Sequence, residues 1–505
     1  MSTHLLTVLI TLIYFVTMPT AWSQKYDNTW ILGYDNNTSK EGGYIDAAEG
    51  MILRFDQSPP SIEKYPIPFK MLSSSIISHP ETGELMFYTN GCRIMGKNHD
   101  IMENGDSINP GDQFKYYCNE GPSSFYSNFN GNLALPMPGT SNSDKYVLLT
   151  RPKRLVLPSM QKILYHEINM SGNGGLGIVE KKNLEIFSSS SLALMSLQAC
   201  KHKNGNDWWI LFWERNKPVY HVIFLDKNGP RYNHTDTIGT IGPDGINQAC
   251  FSPDGNKYIW FDHTRGVALY DFDRKDGKLK NFRTKIISPY YEYGFGGVSF
   301  SPSGRFAYLS AQYELFQLDT WEEDFDNAFT LIDTISTITH LGIPLDFANS
   351  ILGPDCKIYI STAFSWFYFH VIHKPDEKGK ACDLRKLDLQ LPWPNSNSAV
   401  PNNVHYRMDE EEVCNPRLTS LFPEEWYGRG KVKVYPNPAM DRLTIEGIEG
   451  QAQVSFYNLT GQLMKKIVIL NGQSFDISDL QQGVYILRVS GFDTQTEQTF
   501  KLIKL

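Results

Sequence analysis

The chain is short of charge, and the charge it has leans acidic. Asp, Glu, Lys and Arg make up 20% of its 505 residues, with 47 basic side chains against 55 acidic ones and a formal net charge of −8. A surface built for polyphosphate needs the opposite balance, which argues against nucleic acid or an anionic membrane surface as the main partner. Long apolar runs are also scarce. Residues 5–18 form one, too short for a transmembrane helix, and Ala21-Trp22-Ser23 follows with small residues at signal-peptidase spacing. Residues 1–23 therefore read as a signal peptide cleaved before Gln24, and no later stretch is apolar for long enough to span a bilayer. The common catalytic signatures are missing too: there is no Gly-x-Ser-x-Gly elbow and no His-Glu-x-x-His. Residues 171–177 have the glycine density of a phosphate loop but lack its Lys-Ser/Thr ending, and read as a hairpin. His370 and His373 fall on opposite faces of an expected strand, so joint zinc ligation is not expected. His202 stands alone, and the acidic run 409–412 reads as a solvated exit segment. No metal and no cofactor are expected.

Aromatic residues, by contrast, are plentiful at 13%, enough for a large core and against disorder. They recur in a pattern. Cys250-Phe251-Ser252-Pro253-Asp254-Gly255 leads into Lys257-Tyr258-Ile259-Trp260-Phe261. Val298-Ser299-Phe300-Ser301-Pro302-Ser303-Gly304 leads into Arg305-Phe306-Ala307-Tyr308-Leu309, and Ile351-Leu352-Gly353-Pro354-Asp355-Cys356 into Lys357-Ile358-Tyr359-Ile360. Diverged copies begin near Ile77, Asn132 and Lys201, and Trp30 opens a first unit. Each unit reads as a strand, a tight turn, a β-branched and aromatic strand, and a polar hairpin. Four short strands repeating at about fifty residues mark a propeller blade, which buries its faces only by packing in a ring. The expected fold is all-β: a propeller of seven blades, with six as the alternative, over residues 24–414. Asp254 and Asp355 read as turn formers and not as calcium ligands. Residues 364–369, aromatic at most positions, read as core packing more than as a sugar platform.

After an expected linker at 415–430, with Pro416, Pro423 and Gly428, the pattern changes. Alternation at 454–459 and 484–489 indicates half-buried strands, with turn chemistry between them at Asn458 to Gly461, Asn471-Gly472 and Gln482-Gly483. A small antiparallel, Ig-like β-sandwich over 431–505 is expected. Its landmarks are Tyr435-Pro436-Asn437-Pro438, Gly461, Gly483, Tyr485, Lys501 and Lys504. In this order they resemble the C-terminal sorting domain (type A) of the type IX secretion system of Bacteroidota. That resemblance implies export by the type IX machinery, removal of the tail, and attachment at the outer-membrane surface. The Ser-Pro-Asp-Gly turns resemble those of TolB-like and WD40-like propellers. Thr29-Trp30-Ile31-Leu32-Gly33-Tyr34, Leu85-Met86-Phe87-Tyr88-Thr89-Asn90-Gly91 and Val400-Pro401-Asn402-Asn403 resemble a group of secreted Bacteroidota propellers that carry such a tail. That group implies architecture and address but no chemistry.

Seven cysteines suit an oxidising compartment in part. Cys92 and Cys118 flank one loop, and a disulfide there would restrict the unfolded chain by roughly 3 kcal/mol. Cys356 and Cys382 fall in hairpin turns on one face of one unit, so a 356–382 disulfide is expected. Cys200 and Cys250 are expected as buried thiols, with Cys414 left over. A ligand of the ring would sit where the inner strands begin, near Gln198, Asn247, Gln248, Asn349 and Ser350. These uncharged groups suit a neutral ligand such as a glycan, or else satisfy backbone and water in the channel. The expected function is a non-catalytic binding or scaffold protein at the cell surface, with protein or glycan as partner. The alternative is an extracellular propeller enzyme acting on glycans or lactones.

Overall fold

The computed structural model describes residues 24–34, 49–72, 74–111, 114–120, 131–139, 144–152, 160–193, 197–244, 247–287, 296–335, 339–340, 343–363, 366–396, 398–408, 433–435, 439–447, 450–458, 462–491 and 497–504. The expected signal peptide, the linker, Cys414 and the run 409–412 lie outside them. The chain divides into two compact units, Met1–Asn415 and Pro416–Leu505.

Among the described residues of the first unit, seven antiparallel sheets of three or four strands succeed one another in chain order, with a two-stranded ladder, Thr339–His340 with Ile343–Pro344, between the sixth and the seventh. Their innermost strands are Thr29–Gly33, Ser75–Ser78, Asn132–Pro136, Gln198–Lys201, Asn247–Phe251, Gly296–Phe300 and Ser350–Leu352. Five of the sheets have four strands. The first two have three, and in the second the position after Ile94–Gly96 is taken by a long loop. A disulfide between Cys92 and Cys118, with Cα atoms 5.6 Å apart, staples that loop.

Burial follows position in the sheet. Thr29–Gly33, Ser75–Ser78 and Gly296–Phe300 are buried at every residue, whereas the outer strand Ser61–Tyr65 is largely exposed. Inner strands are covered on both faces by neighbouring sheets, so their sequences need no polar alternation. The core is therefore a series of apolar layers between sheets. Trp209, Trp213, Tyr220, Tyr258 and Trp260 fill the layer between the fourth and fifth sheets, and Phe306, Tyr308, Ile358 and Ile360 that between the sixth and seventh. Sheets packed face to face in chain order are the arrangement of a β-propeller.

The turns behave as local chemistry predicts, with one exception. Asp254 accepts the backbone N–H of Asn256 at 3.0 Å, and Gly255 takes φ +71°, as the tight turn requires. Asp355 does more than form its turn. Its Oδ2 accepts hydrogen bonds from Ser58 (2.6 Å) and Tyr359 (2.9 Å), tying the seventh sheet to the first. Trp30 and Phe55 of the first sheet pack against Tyr359 of the seventh on the same seam.

The cysteine expectation needs correction. Cys382 is a buried free thiol, and Cys356 is disulfide-bonded, so the 356–382 pairing is overturned. Both lie in one apolar cluster, but the Cys382 thiol is engaged by the Tyr308 side chain and the backbone at Leu384. Cys200 and Cys250 are free thiols.

In the second unit, Leu463–Leu470, Gln451–Tyr457, Gly483–Gly491 and Glu497–Lys504 form one sheet, and Lys433–Tyr435, Arg442–Glu446 and Ser474–Asp476 another. Leu443, Ile445, Val454, Phe456, Phe475 and Leu487 form the core between them. No helix among the described residues is long and apolar enough to cross a membrane.

Candidate functional site in the central channel

The inner strands converge on a channel, and a segment of the chain itself runs through it. At the start of the inner strands, the Asn402 backbone N–H donates to Ser74 O at 3.0 Å. The Asn402 amide donates to Asn132 O (2.9 Å) and Leu197 O (3.3 Å) and accepts from Gln198 Nε2 (2.7 Å). Further along, Tyr406 donates its hydroxyl to Ala134 O at 3.0 Å. At the far end the Arg407 guanidinium takes both carboxylate oxygens of Asp27 at 2.7 Å and also donates to Gln24 O. Met408 reaches the Cys200 sulfur at 3.6 Å. Residues 402–408 thus touch successive levels of the inner strands from one mouth to the other. We call this segment the strap.

Of the expected ligand residues, Gln198, Gln248 and Ser350 line one cavity with it. Gln248 is spent on backbone: its Oε1 accepts from Val298 N (3.2 Å) and Ser350 N (3.0 Å), and its Nε2 donates to Ser350 O (2.7 Å). One side chain thereby joins three sheets. Gln198 holds the strap through Asn402. Asn349 is buried, and its carbonyl accepts from Ser361. The side chain of Asn247 lies outside what is described. A cavity of about 40 Å³ remains beside the strap, lined among others by Gln248, Ser299, Ser350, Asn403, His405 and Arg407. That is room for about two or three water molecules, far less than a ligand pocket. The Ser350 hydroxyl and both ends of the Asn403 amide have no protein partner there.

The electrostatics beside the strap centre on the Arg407–Asp27 pair. Burial, helped by the Arg407 charge, pushes His405 down to about 4, so it is neutral at pH 7. Asp27 and Asp254 act on it in the opposite direction, and the Asp27 carboxylate is itself held bidentate by Arg407. Among the described residues no three His, Cys, Asp or Glu side chains are grouped to hold a metal ion.

The remaining sequence candidates lie elsewhere. Residues 171–177 form the hairpin between Gln161–Asn169 and Ile178–Ser189, with a short turn at Asn173–Gly175. His370 is buried against Asp346 O, whereas His373 bonds Asp388 at 2.7 Å, so the two are not brought together. His202 caps an exposed turn, accepting from Asn204 N. Trp366 and Phe369 are buried and Phe367 is partly exposed, while Phe364 and Ser365 lie outside the described residues. In the tail, Tyr435 bonds Glu446, Tyr485 is buried and donates to Gln481 O at 2.8 Å, and Gly483 opens its strand. Lys504 is buried, 3.7 Å from Asp441. Pro436, Asn437, Pro438 and Gly461 lie outside the described residues, as does the Lys501 side chain. Sequence reasoning missed the strap. Val400-Pro401-Asn402-Asn403 was visible as a motif, but nothing local says that it enters a channel.

No curated protein matches the chain. Among solved structures it is similar to a 6-phosphogluconolactonase candidate of Bacteroides fragilis, at 11% identity over 73% of this chain and 97% of that one, with a TM-score of 0.42. It is also similar to PorZ, a surface component of the type IX secretion system of Porphyromonas gingivalis, at 11% identity over 91% and 68% of the two chains, with a TM-score of 0.30. A third is Sqt1 of Saccharomyces cerevisiae, at 9% identity over 71% and 82%, with a TM-score of 0.30. Residues 433–504 match the family model of the secretion system C-terminal sorting domain, so the chain carries a type IX sorting tail behind its propeller-like unit and is a secreted protein of the cell surface or extracellular space.

Proposed function

We propose that this protein is a seven-bladed propeller that acts outside the cell by binding, without chemistry of its own. The proposed organisation is a signal peptide at 1–23, the propeller at 24–414, a linker at 415–430 and the sorting domain at 431–505. The tail addresses the chain to the type IX machinery and is then removed, leaving the propeller attached at the outer-membrane surface.

The observation that carries this reading is the strap. The channel is where a propeller gathers side chains from every blade around one small molecule. Here that space holds residues 402–408, and Gln198 and Gln248 at the mouth are engaged with Asn402 and with backbone. Binding then falls to the rims and outer strands, which suit a protein or glycan partner better than a small substrate. The test uses the mature protein from the cell surface in glycan-array and surface-protein binding screens, beside turnover assays on lactones and oligosaccharides. Saturable binding without turnover supports the proposal. Multiple turnover of a lactone or glycan by the wild type overturns it.

A further inference from the structure

Away from the channel, the fourth sheet brings a carboxylate, an imidazole and a hydroxyl into one line. Its outer strands are Trp208–Trp213, Val219–Asp226 and Gly229–Thr237. Their antiparallel register sets Phe212, His221 and Thr235 in one cross-strand row. Residues directly opposite share a face of the sheet, so His221 and Thr235 meet. His221 Nδ1 lies 2.9 Å from Thr235 Oγ1. Glu214 stands just past the end of Trp208–Trp213, and its Oε1 lies 3.4 Å from His221 Nε2. Phe187 of the third sheet and Phe212 pack against the imidazole, with ring centroids 4.4 and 5.2 Å from its own.

The line has an inside and an outside. His221 is 5% exposed and Glu214 9%, whereas Thr235 is open to solvent. Glu214 also accepts from Ser189 Oγ (2.9 Å) and Lys217 Nζ (2.7 Å). Against the pull of burial, these bonds hold its carboxyl below the usual carboxylate range, so it is ionised and can only accept. An acceptor facing Nε2 fixes the imidazole proton on that nitrogen. Nδ1 is then the lone-pair side, and the Thr235 hydroxyl donates to it. Tyr232 shares the outer end: its hydroxyl lies 3.3 Å from Nδ1 and also bonds Thr235 Oγ1. Burial lowers the His221 pKa, so the ring is in its basic, neutral form at pH 7. Any acceptor and any donor would satisfy a buried imidazole. Here they are an ionised carboxylate on the inside and a solvent-facing hydroxyl on the outside, which is the order of orienting group, base and nucleophile.

We propose that Thr235 is a primed acyl acceptor: His221, positioned by Glu214, takes the hydroxyl proton as Thr235 Oγ1 attacks the carbonyl carbon of an activated ester. The bond that forms joins Oγ1 to the acyl carbon, and the bond that breaks joins that carbon to the leaving oxygen. His221 passes the proton to the leaving oxygen, so the products are an O-acylthreonine and an alcohol. The mark is one event per chain and not turnover. The experiment treats the full-length protein with p-nitrophenyl acetate and locates acetyl groups by peptide mass spectrometry. Thr237, exposed two residues further along the same face of the strand, is the internal reference. Thr235 should acetylate about a hundredfold or more faster than Thr237, the range of a positioned general base. H221Q should remove that advantage, and T235S should keep it. E214Q keeps the bulk and an acceptor oxygen and removes only the charge, and it should lower the rate by about tenfold or more at an unchanged near-UV circular dichroism spectrum. Equal labelling of Thr235 and Thr237 in the wild type overturns the proposal without any variant having to fold. So does wild-type labelling of folded H221Q, or acetyl on Tyr232 in place of Thr235. Release of many equivalents of p-nitrophenol through Thr235 would make the cluster an esterase and overturn the acceptor reading.

Discussion

Replacing Arg407 with alanine removes the bidentate contact to Asp27 and the bond to Gln24 O in one step. Both partners of the ion pair are buried, with side-chain exposures of 6% and 9%. The cost therefore lies less in the lost attraction than in the Asp27 carboxylate left without a counter-charge out of water. Removing one member of such a pair costs about 3–5 kcal/mol. For a unit of about 385 residues the unfolding entropy is ~0.8 kcal/mol/K, so the propeller transition should fall by about 5 °C. Near-UV circular dichroism during thermal unfolding of the full chain reads this, with the tail expected as a separate transition. The double variant D27L/R407M replaces the pair with apolar side chains of similar bulk and should recover most of the loss, to within about 1–2 kcal/mol of the wild type. A shift below about 1 °C for R407A, or a double variant no more stable than the single one, would refute the reasoning.

Asn402→Ala should cost about 2–3 kcal/mol, because Asn132 O, Leu197 O and Gln198 Nε2 lose their partner together; denaturant unfolding measures this. Gly255→Ala should destabilise by about 1–3 kcal/mol in the same assay, since a Cβ at φ +71° would stand 2.7 Å from the Cys200 sulfur and 3.0 Å from that of Met408. Burial pushes His166 down to about 3 and His370 and His405 down to about 4. All three are neutral in the folded protein while the unfolded chain protonates them below its ordinary value, so their contribution is present above pH 6.5 and is lost as pH falls from there. Asp346 works in the opposite sense: burial raises it to about 6, and acid relieves its desolvation. The balance is a net loss of about 4 kcal/mol between pH 7 and pH 5, seen as a lower unfolding midpoint; a higher midpoint at pH 5 would contradict it. Cys382→Ala should leave the disulfide of Cys356 intact, and a non-reducing peptide map shows whether it does.

Local features were legible in the sequence and distant ones were not. The Ser252-to-Gly255 turn is readable because every group it needs lies within a few residues. The tail strands are readable because alternation is itself a local signal. Asp355 looks like Asp254 on the page, yet its partner Ser58 is 297 residues away, and no pattern near either residue announces the contact. Gln248 reads from the sequence as a residue at the start of an inner strand, but whether its amide faces a ligand or stitches backbone depends on two other sheets. The Cys356–Cys382 expectation failed for the same reason. Proximity of two turns limits which thiols can pair, but it does not choose among them, and Tyr308 takes the Cys382 thiol.

The strap gives the protein a way to test its own completeness. Asp27 and Arg407 are 380 residues apart, so the first blade cannot be locked until the last residues of the propeller have been made and threaded. A chain broken anywhere between them can build individual sheets but has no means of closing the ring around a filled centre. Because the search for so distant a contact is slow, the final locking belongs at the end of folding, not during synthesis. The sorting tail follows directly behind that lock in the sequence. An exporter that accepts only locked rings would then pass only full-length chains, and the address would be read on finished goods alone.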